Sequence, residues 1–350
     1  MTSTDSIREQ WQAMRNGAKP PRIRDAAEQL GVSEEALLTT DCGDNVKRLK
    51  PDWETFIPRL GELGRVMALT RNDDVVHEVR GEYMNIHLNA EHGLVLGSEI
   101  DLRLFPSAWC NLYTERRSTA RGELISFQIF DEHGKAVHKI YIGSESNRDA
   151  FDRLEQELMS DDQTASNPTP CEVKRADDNE DVDVEQFRRD WAALQDTHEF
   201  FGMVKKHGLP RTQALNIAGP EWTRRVPLNS FTEVITAAAE TQTPIMAFVG
   251  NGGILQIFSG TVNKTAEWDN WFNVMDPGFN LHVNTRNLKE TWLVRKPSRD
   301  GLIHSLEVFN TKGEMVLQLF GKRKPGIPEL DEWRDVLTNK YGAWEEHVNV

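Results

Sequence analysis

The sequence is poor in cysteine, in long apolar runs and in net positive charge. Its three cysteines in 350 residues have spacings that suit neither a metal site nor a disulfide framework. The longest apolar runs, such as residues 245–249, are far shorter than the ~20 residues of a membrane-spanning helix. The N-terminal segment also lacks the profile of a secretion signal. Together these absences predict a soluble cytoplasmic protein that is not integral to a membrane.

The charge balance and the missing motifs exclude further classes. The chain carries 41 lysine and arginine residues against 55 aspartate and glutamate residues, a net charge of −14. This balance disfavours nucleic-acid binding, because neutralising phosphates requires concentrated basic charge. The sequence has no phosphate-binding glycine loop, no nucleophilic serine elbow and no paired-histidine zinc motif. The sequence therefore gives no sign of a phosphate-loop nucleotide-binding protein, a serine hydrolase of the elbow type or a zinc protease with paired histidines.

An acidic segment divides the chain. Residues 160–184 are rich in small polar and acidic side chains and almost free of large apolar ones. Such a segment cannot bury enough surface to offset the entropy of ordering it. We interpret it as a linker between an N-terminal repeat, residues 1–159, and a C-terminal repeat, residues 185–350.

The two halves resemble each other. A shift of 179 residues, without gaps, superposes Gly134 on Gly313. Residues 125–142 and 304–321 each alternate apolar and polar side chains around these glycines, which is typical of an antiparallel hairpin with one buried face. Each half begins with helical segments, continues with strand-like runs and ends with an amphipathic helix. This order predicts an α+β fold of two tandem repeats with antiparallel sheets and flanking helices.

A short helix in the second half carries the most informative histidine. The segment 196–208, DTHEFFGMVKKHG, has a start signal at Asp196 or Thr197, either of which can accept a backbone N–H hydrogen bond, and a stop signal at Gly208. His198 therefore falls in the first turn. There the positive end of the helix dipole disfavours the imidazolium form and leaves a neutral ring able to bind a metal.

The helix face that carries His198 has unusual neighbours. Phe201 and Gly202 follow it by three and four residues, so they share its face. An aromatic ring and an absent side chain beside a neutral imidazole would let a flat apolar ligand approach the helix. An ordinary surface or capping histidine is the alternative interpretation.

Four segments together resemble a known family. They are residues 196–208, EIDLRLF at 99–105, WLVRKPS at 292–298 and LQLFGKR at 317–323. The chain resembles the cytoplasmic haem-trafficking and hemin-degrading proteins of bacterial haem-uptake operons, the HemS/ChuS type, over almost its whole length. The resemblance implies two structural repeats, each with a large antiparallel sheet, and one haem b (iron protoporphyrin IX) in the cleft between them.

The resemblance also implies roles for individual residues. His198 looks like the proximal ligand of the haem iron, and Arg103 looks like the arginine on the distal side. In relatives, further positions pack against the porphyrin or surround the propionates and the pocket rim; here they are Phe105 and Phe248 for packing, and Arg211, Lys296, Gln318 and Arg323 for the polar groups. Leu317 stands where some relatives have a tyrosine, so a tyrosine-assisted distal network is not implied.

The internal duplication predicts one haem per chain. The 179-residue shift superposes Arg103 on His282, whereas alignment of the short helices places His198 against Pro21. The first repeat therefore has no counterpart to the iron ligand. His282 is interpreted either as a secondary haem contact or as a structural strand histidine.

These residues lead to a functional hypothesis. The chain is expected to bind haem after its import and to traffic or degrade it for iron release, because the resemblance implies both activities. Degradation would require an external electron donor, since no flavin or nicotinamide site is evident. An inner-membrane haem importer, a haem oxygenase and that donor are the expected partners. The alternatives are a pure haem chaperone, a protein-interaction module without haem, and a binder of another planar tetrapyrrole.

Overall fold

The computed structural model describes residues 4–89, 91–119, 122–171, 175–324 and 326–344. The first half of the chain forms α1 (Thr4–Arg15), α2 (Ile23–Leu30), α3 (Glu34–Leu38), β1 (Val46–Leu49), α4 (Trp53–Phe56), β2 (Gly64–Arg71), β3 (Val75–Gly81), β4 (Ile86–Leu88), β5 (Gly93–Leu96), β6 (Asp101–Leu104), β7 (Asn111–Thr119), β8 (Gly122–Phe130), β9 (Ala136–Ser146) and α5 (Arg148–Glu157).

The second half repeats this order. It forms α6 (Val184–Ala192), α7 (Glu199–Lys206), α8 (Arg211–Ala218), β10 (Thr223–Val226), α9 (Ser230–Thr241), β11 (Ile245–Gly250), β12 (Ile254–Gly260), β13 (Thr265–Trp268), β14 (Trp271–Met275), β15 (Phe279–Asn284), β16 (Leu288–Ser298), β17 (Gly301–Asn310), β18 (Met315–Gly321) and α10 (Asp331–Tyr341). The predicted order of helices, strand meander and helix is thus confirmed in both halves.

The strands form two nine-stranded sheets. Their orders are β1-β7-β8-β9-β2-β3-β15-β14-β13 and β10-β16-β17-β18-β11-β12-β6-β5-β4. At every place in the two orders, the strands are counterparts in the two repeats, as β1 and β10 are at the first place. The described strand pairs are antiparallel. The predicted α+β class with large antiparallel sheets is confirmed. None of the helices in the described part of the chain has the length and hydropathy that a bilayer crossing requires.

The strand registers reproduce the 179-residue shift. Gln128 pairs with Lys139 between β8 and β9, and Glu307 pairs with Gln318 between β17 and β18. Adding 179 to each member of the first pair gives the second pair. A one-residue slip would turn every side chain to the opposite face of the sheet, so this agreement shows that the duplication extends to the orientation of individual side chains.

The chain divides into two compact units. The first comprises Met1–Arg71, His77–Glu172 and Gly250–Gln256, and the second comprises Asn72–Val76, Val173–Val249 and Ile257–Val350. Each unit thus includes a short segment that is remote in sequence. In the first unit, the Asn251 amide donates to the carbonyls of Arg71 and Val137 at 2.8 and 2.9 Å. In the second unit, the Asp74 carboxylate accepts from the Asn310 amide at 3.0 Å.

The predicted linker has no regular secondary structure where it is described. Residues 160–171 and 175–183 form neither helix nor strand, and residues 172–174 lie outside the described residues. Gln163 donates to the carbonyl of Arg48 at 2.9 Å and accepts from its N–H at 3.0 Å. Asn179 makes the same kind of two-way bond with Gln213, at 2.8 and 2.7 Å. Each end of the segment is therefore held to its own unit.

The second unit has an aromatic core that positions α7. The Trp191 ring of α6 contacts the Phe200 ring of α7 edge to face, with centroids 4.7 Å apart, and its indole N–H donates to the carbonyl of Arg295 at 3.0 Å. Trp292 of β16 and Phe309 of β17 complete this buried cluster. Because α7 packs against both α6 and the sheet, the opposite face of the helix remains uncovered within this unit.

Candidate functional site

His198 lies at the N-terminus of α7, in a turn that its neighbours close. Oδ1 of Asp196 accepts the backbone N–H of His198 at 2.8 Å and lies 2.6 Å from Nδ1 of the same residue. Oε2 of Glu199 accepts the backbone N–H groups of Gln195 and Asp196 at 2.9 and 3.2 Å. His198 itself occupies the N-cap position, and its side chain caps no N–H of the helix. The sequence identified Asp196 as an acceptor but predicted the helix start too early: α7 begins at Glu199, so His198 precedes the first turn.

The hydrogen bonds of this turn assign the histidine tautomer. The N–H of His198 holds the pKa of the Asp196 carboxyl below its ordinary value, so the carboxylate is ionised and only accepts hydrogen bonds. Nδ1 of His198 must therefore carry the hydrogen that it shares with Asp196, so the lone pair of the neutral ring is on Nε2. Among the described residues, none bonds to Nε2, and 79% of the His198 side chain is exposed.

Phe201 and Gly202 extend this open face. Phe201 is 72% exposed, and a Cβ atom added at Gly202 would meet nothing within 4 Å. On the other side of α7, Phe200 and Met203 are buried in the core. The structure thus places His198, Phe201 and Gly202 together on an uncovered face, as the helical spacing predicted.

Three predicted site residues of the second unit meet around a carboxylate that the sequence did not reveal. Glu307 is fully buried and accepts two hydrogen bonds from the Arg211 guanidinium, each at 2.8 Å. It also accepts from Nζ of Lys296 and from the Gln318 amide, both at 2.8 Å. The Arg211 and Lys296 cations lie 4.7 and 4.4 Å from the ring centre of Phe200. We call Glu307, Arg211, Lys296 and Gln318 the Glu307 cluster; it lies directly behind α7.

The electrostatics of the Glu307 cluster favour positive charge. Burial alone would raise the pKa of Glu307, but the charges of Arg211 and Lys296 outweigh it and hold this pKa well below its ordinary value. Burial lowers the pKa of Lys296 to about 8, against the opposing effect of Glu307. Lysine and glutamate are thus both mainly charged at neutral pH, and two cations share one anion.

The remaining predicted residues of the second unit lie elsewhere. Arg323 donates to Asp300 at 3.0 Å, and its buried Nε has no hydrogen-bond partner among the described residues. Phe248 of β11 packs edge to face on Phe320, with centroids 5.2 Å apart. His282 lies in β15, where Nδ1 is 2.6 Å from the Asn273 side chain.

Arg103 and Phe105 belong to the first unit. Arg103 lies in β6, where its guanidinium donates to the Asp101 carboxylate and, at 3.2 Å, to the carbonyl of Leu102. Its side chain is 30% exposed. Phe105 follows the strand and is 39% exposed. Both side chains thus reach the surface of the first unit, and Arg103 is already paired with one carboxylate.

The duplication is broken at the predicted ligand. Gly31 and Gly208 follow the ends of α2 and α7 with left-handed φ angles of 67° and 62°, so these helices correspond with a shift of 177 residues. This correspondence places Pro21 opposite His198, as the sequence alignment predicted. A proline has no side-chain donor atom, and the first repeat therefore lacks an equivalent of the imidazole.

Comparisons with known proteins place the chain in a family. Residues 31–158 and 208–340 match the haemin-degrading HemS/ChuX domain. The chain is 37% identical to the hemin transport protein HmuS of Yersinia pestis, over 90% of this chain and 91% of that protein.

Solved structures agree with this assignment. Holo-PhuS, a heme-binding protein from Pseudomonas aeruginosa, is 43% identical, with a TM-score of 0.91 over 96% of this chain and 98% of that one. The heme-degrading enzyme ChuS of Escherichia coli O157:H7 is 30% identical, with a TM-score of 0.89 over 96% and 99% of the two chains. The chain belongs to the HemS/ChuS family of haem-utilisation proteins, whose HemS/ChuX domain it contains twice.

Proposed function

We propose that the protein binds one haem b per chain through His198 in the cytoplasm, and that it receives imported haem and traffics or degrades it for iron release. One observation carries this proposal: an imidazole with an available Nε2 lies on an open helix face beside a glycine. The relatives add direction, because one is a hemin transport protein, one binds heme and one degrades it.

The residues of the open face fit a haem. Haem iron accepts an imidazole nitrogen as its proximal ligand, and Nε2 of His198 has the lone pair to supply it. The macrocycle is a flat apolar disc, so it requires an apolar wall and close approach to the helix. Phe201 supplies such a wall, and Gly202 has no Cβ that would hold the disc away from α7.

The two haem propionates require cations, and the second unit offers them. In the Glu307 cluster, Arg211 and Lys296 share a single carboxylate, which leaves an excess positive charge. The buried Nε of Arg323 has an unused donor among the described residues. We assign direct contact with the propionates to Arg211 and Arg323, whose side chains are partly exposed. Lys296 and Gln318 are buried and support Arg211 through Glu307. Contact with the porphyrin is assigned to Phe105 and Phe248.

Arg103 is proposed for the distal side of the iron. A guanidinium is permanently charged and offers five donors, and the contacts with Asp101 and Leu102 leave some of them available. In this role Arg103 would hold a water molecule or an anion on the far side of the iron without binding the metal itself. If the protein degrades haem, the macrocycle is the substrate, and the electrons come from an external donor.

A hemin titration tests the proposal directly. The wild-type protein, His198→Ala and the control His133→Ala are titrated with hemin without oxygen and then exposed to air and a reductant. We expect a saturable Soret band at one hemin per chain in the wild type and the control. In His198→Ala the band shifts and weakens strongly. An unchanged spectrum in His198→Ala would remove the proximal assignment.

The aerobic step separates an enzyme from a carrier. Bleaching of the Soret band with verdoheme-like or biliverdin-like absorption in the presence of catalase indicates degradation. Bleaching that catalase abolishes indicates damage by free peroxide and favours the haem chaperone. A protein that gives no Soret change with hemin at all would refute haem binding and support a protein-interaction module.

A further inference from the structure

The Asp196 carboxylate makes an unusual double contact with His198. A single oxygen, Oδ1, accepts the backbone N–H of His198 at 2.8 Å and lies 2.6 Å from the Nδ1 of its ring. We infer that Asp196 is a positioning residue that fixes the tautomer and orientation of the His198 ring, so that Nε2 points outward as an electron-rich ligand. The inference rests on the proposed function and extends it to a residue outside the predicted site.

The geometry of the turn supports this role. Oε2 of Glu199 accepts the N–H groups of Gln195 and Asp196, and among the described residues only Asp196 bonds to the imidazole. Asp196 thus acts as the hydrogen-bond partner of Nδ1, and rotation of the ring would break this bond. In solution a free neutral imidazole favours a hydrogen on Nε2. This is the nitrogen that must be unprotonated to bind a metal. The carboxylate reverses this preference before any ligand arrives.

The charge of Asp196 also has a chemical consequence. A carboxylate that accepts the N–H of a metal-binding histidine raises the basicity of the ring, and removal of such a partner typically costs about 10–100-fold in metal affinity. The pair is exposed in this unit, where solvent weakens charge interactions. A bound macrocycle would cover the ring and strengthen the effect of the carboxylate.

A purely structural role is the competing explanation, because Asp196 also helps to start α7. Asp196→Asn separates the two roles: its side-chain oxygen still accepts both N–H groups, but the negative charge is lost. Asp196→Ala removes both functions. Asp190→Asn is the matched control, since Asp190 lies 2.9 Å from Nε2 of His207 in the same unit and forms a carboxylate–histidine pair away from the open face.

The first measurement needs no haem. Nitrogen-15 NMR of the apoprotein at about pH 8.5, two units above the ordinary imidazole pKa of about 6.5, reports which ring nitrogen of His198 carries the hydrogen. We expect the Nδ1–H tautomer in the wild type and in Asp190→Asn, and a mixture in Asp196→Ala. A wild-type ring that is mainly Nε2–H would overturn the inference whatever the protein binds.

The second measurement uses the haem complex. We expect Asp196→Asn to raise the hemin dissociation constant about tenfold. It should also lower the iron–histidine stretching frequency of the ferrous protein and raise its reduction potential. The melting temperature of Asp196→Asn should equal that of the wild type. Suppose that His198→Ala abolishes the iron–histidine signal but that Asp196→Asn leaves its frequency and the reduction potential unchanged. This result would overturn the inference and leave the proposed function intact. If His198→Ala keeps the signal, the proposed ligand itself is wrong.

Discussion

Nζ of Lys296 lies 2.8 Å from Oε1 of Glu307, and both side chains are almost completely buried behind α7. Burying an ion pair costs several kcal/mol per ion, and only close partners offset this cost. Glu307 has such partners in Arg211, Lys296 and Gln318. Since Arg211 and Lys296 also lie against the ring of Phe200, the cluster stabilises the helix that carries His198.

The balance of charge in the cluster predicts unequal effects of two substitutions. Glu307→Gln leaves the buried Lys296 and the partly buried Arg211 without an anion, and we expect it to lower the free energy of unfolding by about 3–5 kcal/mol. Lys296→Met leaves Arg211 and Glu307 as a balanced pair, so it should cost clearly less. Denaturant titration of both variants measures the difference.

Glu185→Gln is the control for this comparison. Its side chain is 87% exposed in the same unit, and a surface substitution of this kind changes stability by about 0.5 kcal/mol or less. If Lys296→Met proves as costly as Glu307→Gln, packing of the lysine chain determines the stability of the cluster, and the charge argument is wrong.

The local pattern of the sequence predicted most of the elements but could not reveal Glu307. The hairpins at 125–142 and 304–321 alternate visibly, and β8, β9, β17 and β18 confirm them. An alternating pattern assigns polar residues to an exposed face of the sheet. It fails for β17, because both faces of this strand are buried over most of its length. A signal was present: Ser305 and Glu307 are polar and lie on the same face of β17, on either side of Leu306 in the chain.

The helix α9 was not predicted. Residues 232–242 correspond to 53–63 by the 179-residue shift, yet the second half forms the long helix α9. The first half forms the short α4 and a 3-10 segment, Ile57–Leu63. Pro58 has no N–H to continue an α-helix, whereas the corresponding position, Ala237, is a strong helix former. The strand orders of the two sheets were also beyond the sequence, because they depend on pairing between distant segments.

A buried histidine in the first unit predicts how stability depends on pH. His138 lies 2.9 Å from the Thr70 hydroxyl and 2.6 Å from the Tyr83 hydroxyl, and burial lowers its pKa to about 3. Between about pH 6.5, the ordinary value, and pH 3 the unfolded chain binds a proton that the folded protein does not. Stability should therefore fall on acidification by about 1.4 kcal/mol per pH unit from this group.

The variant His138→Gln tests this slope. The substitution lowers the absolute stability. Between about pH 6 and pH 4, the slope of the free energy of unfolding against pH should be smaller than in the wild type by the amount that corresponds to one proton. Chemical denaturation at several pH values gives both slopes, and all other titrating groups are common to the two proteins. Equal slopes would show that His138 is protonated in the folded state.

Gly202 allows folding and haem binding to be separated. A Cβ at this exposed helical position meets nothing within 4 Å, so Gly202→Ala should stabilise the protein by about 0.5–1 kcal/mol. Gly202→Leu should fold equally well but hold the macrocycle away from His198, and we expect its hemin dissociation constant to rise at least about tenfold, or about 1.4 kcal/mol. Thermal unfolding and hemin titration measure the two effects.

Gly143 provides the matched position for this test, because a Cβ there also meets nothing within 4 Å. Gly143→Leu should leave hemin affinity unchanged. Undiminished affinity in a folded Gly202→Leu protein would mean that haem binds away from this face of α7.

Arg103 should control anions on the iron without being required for haem binding. We expect Arg103→Ala to retain hemin uptake but to weaken azide binding to the ferric protein about tenfold or more, because a charge-assisted hydrogen bond contributes about 1.5–3 kcal/mol. Arg103→Lys should restore part of the azide affinity. Imidazole, a neutral ligand, should bind equally to the wild type and both variants.

Asp101→Asn should act in the opposite direction, since Asp101 pairs with the Arg103 guanidinium. Removal of this carboxylate frees donors of Arg103 and should tighten azide binding. Loss of hemin uptake in Arg103→Ala, or equal weakening of azide and imidazole, would contradict the distal role.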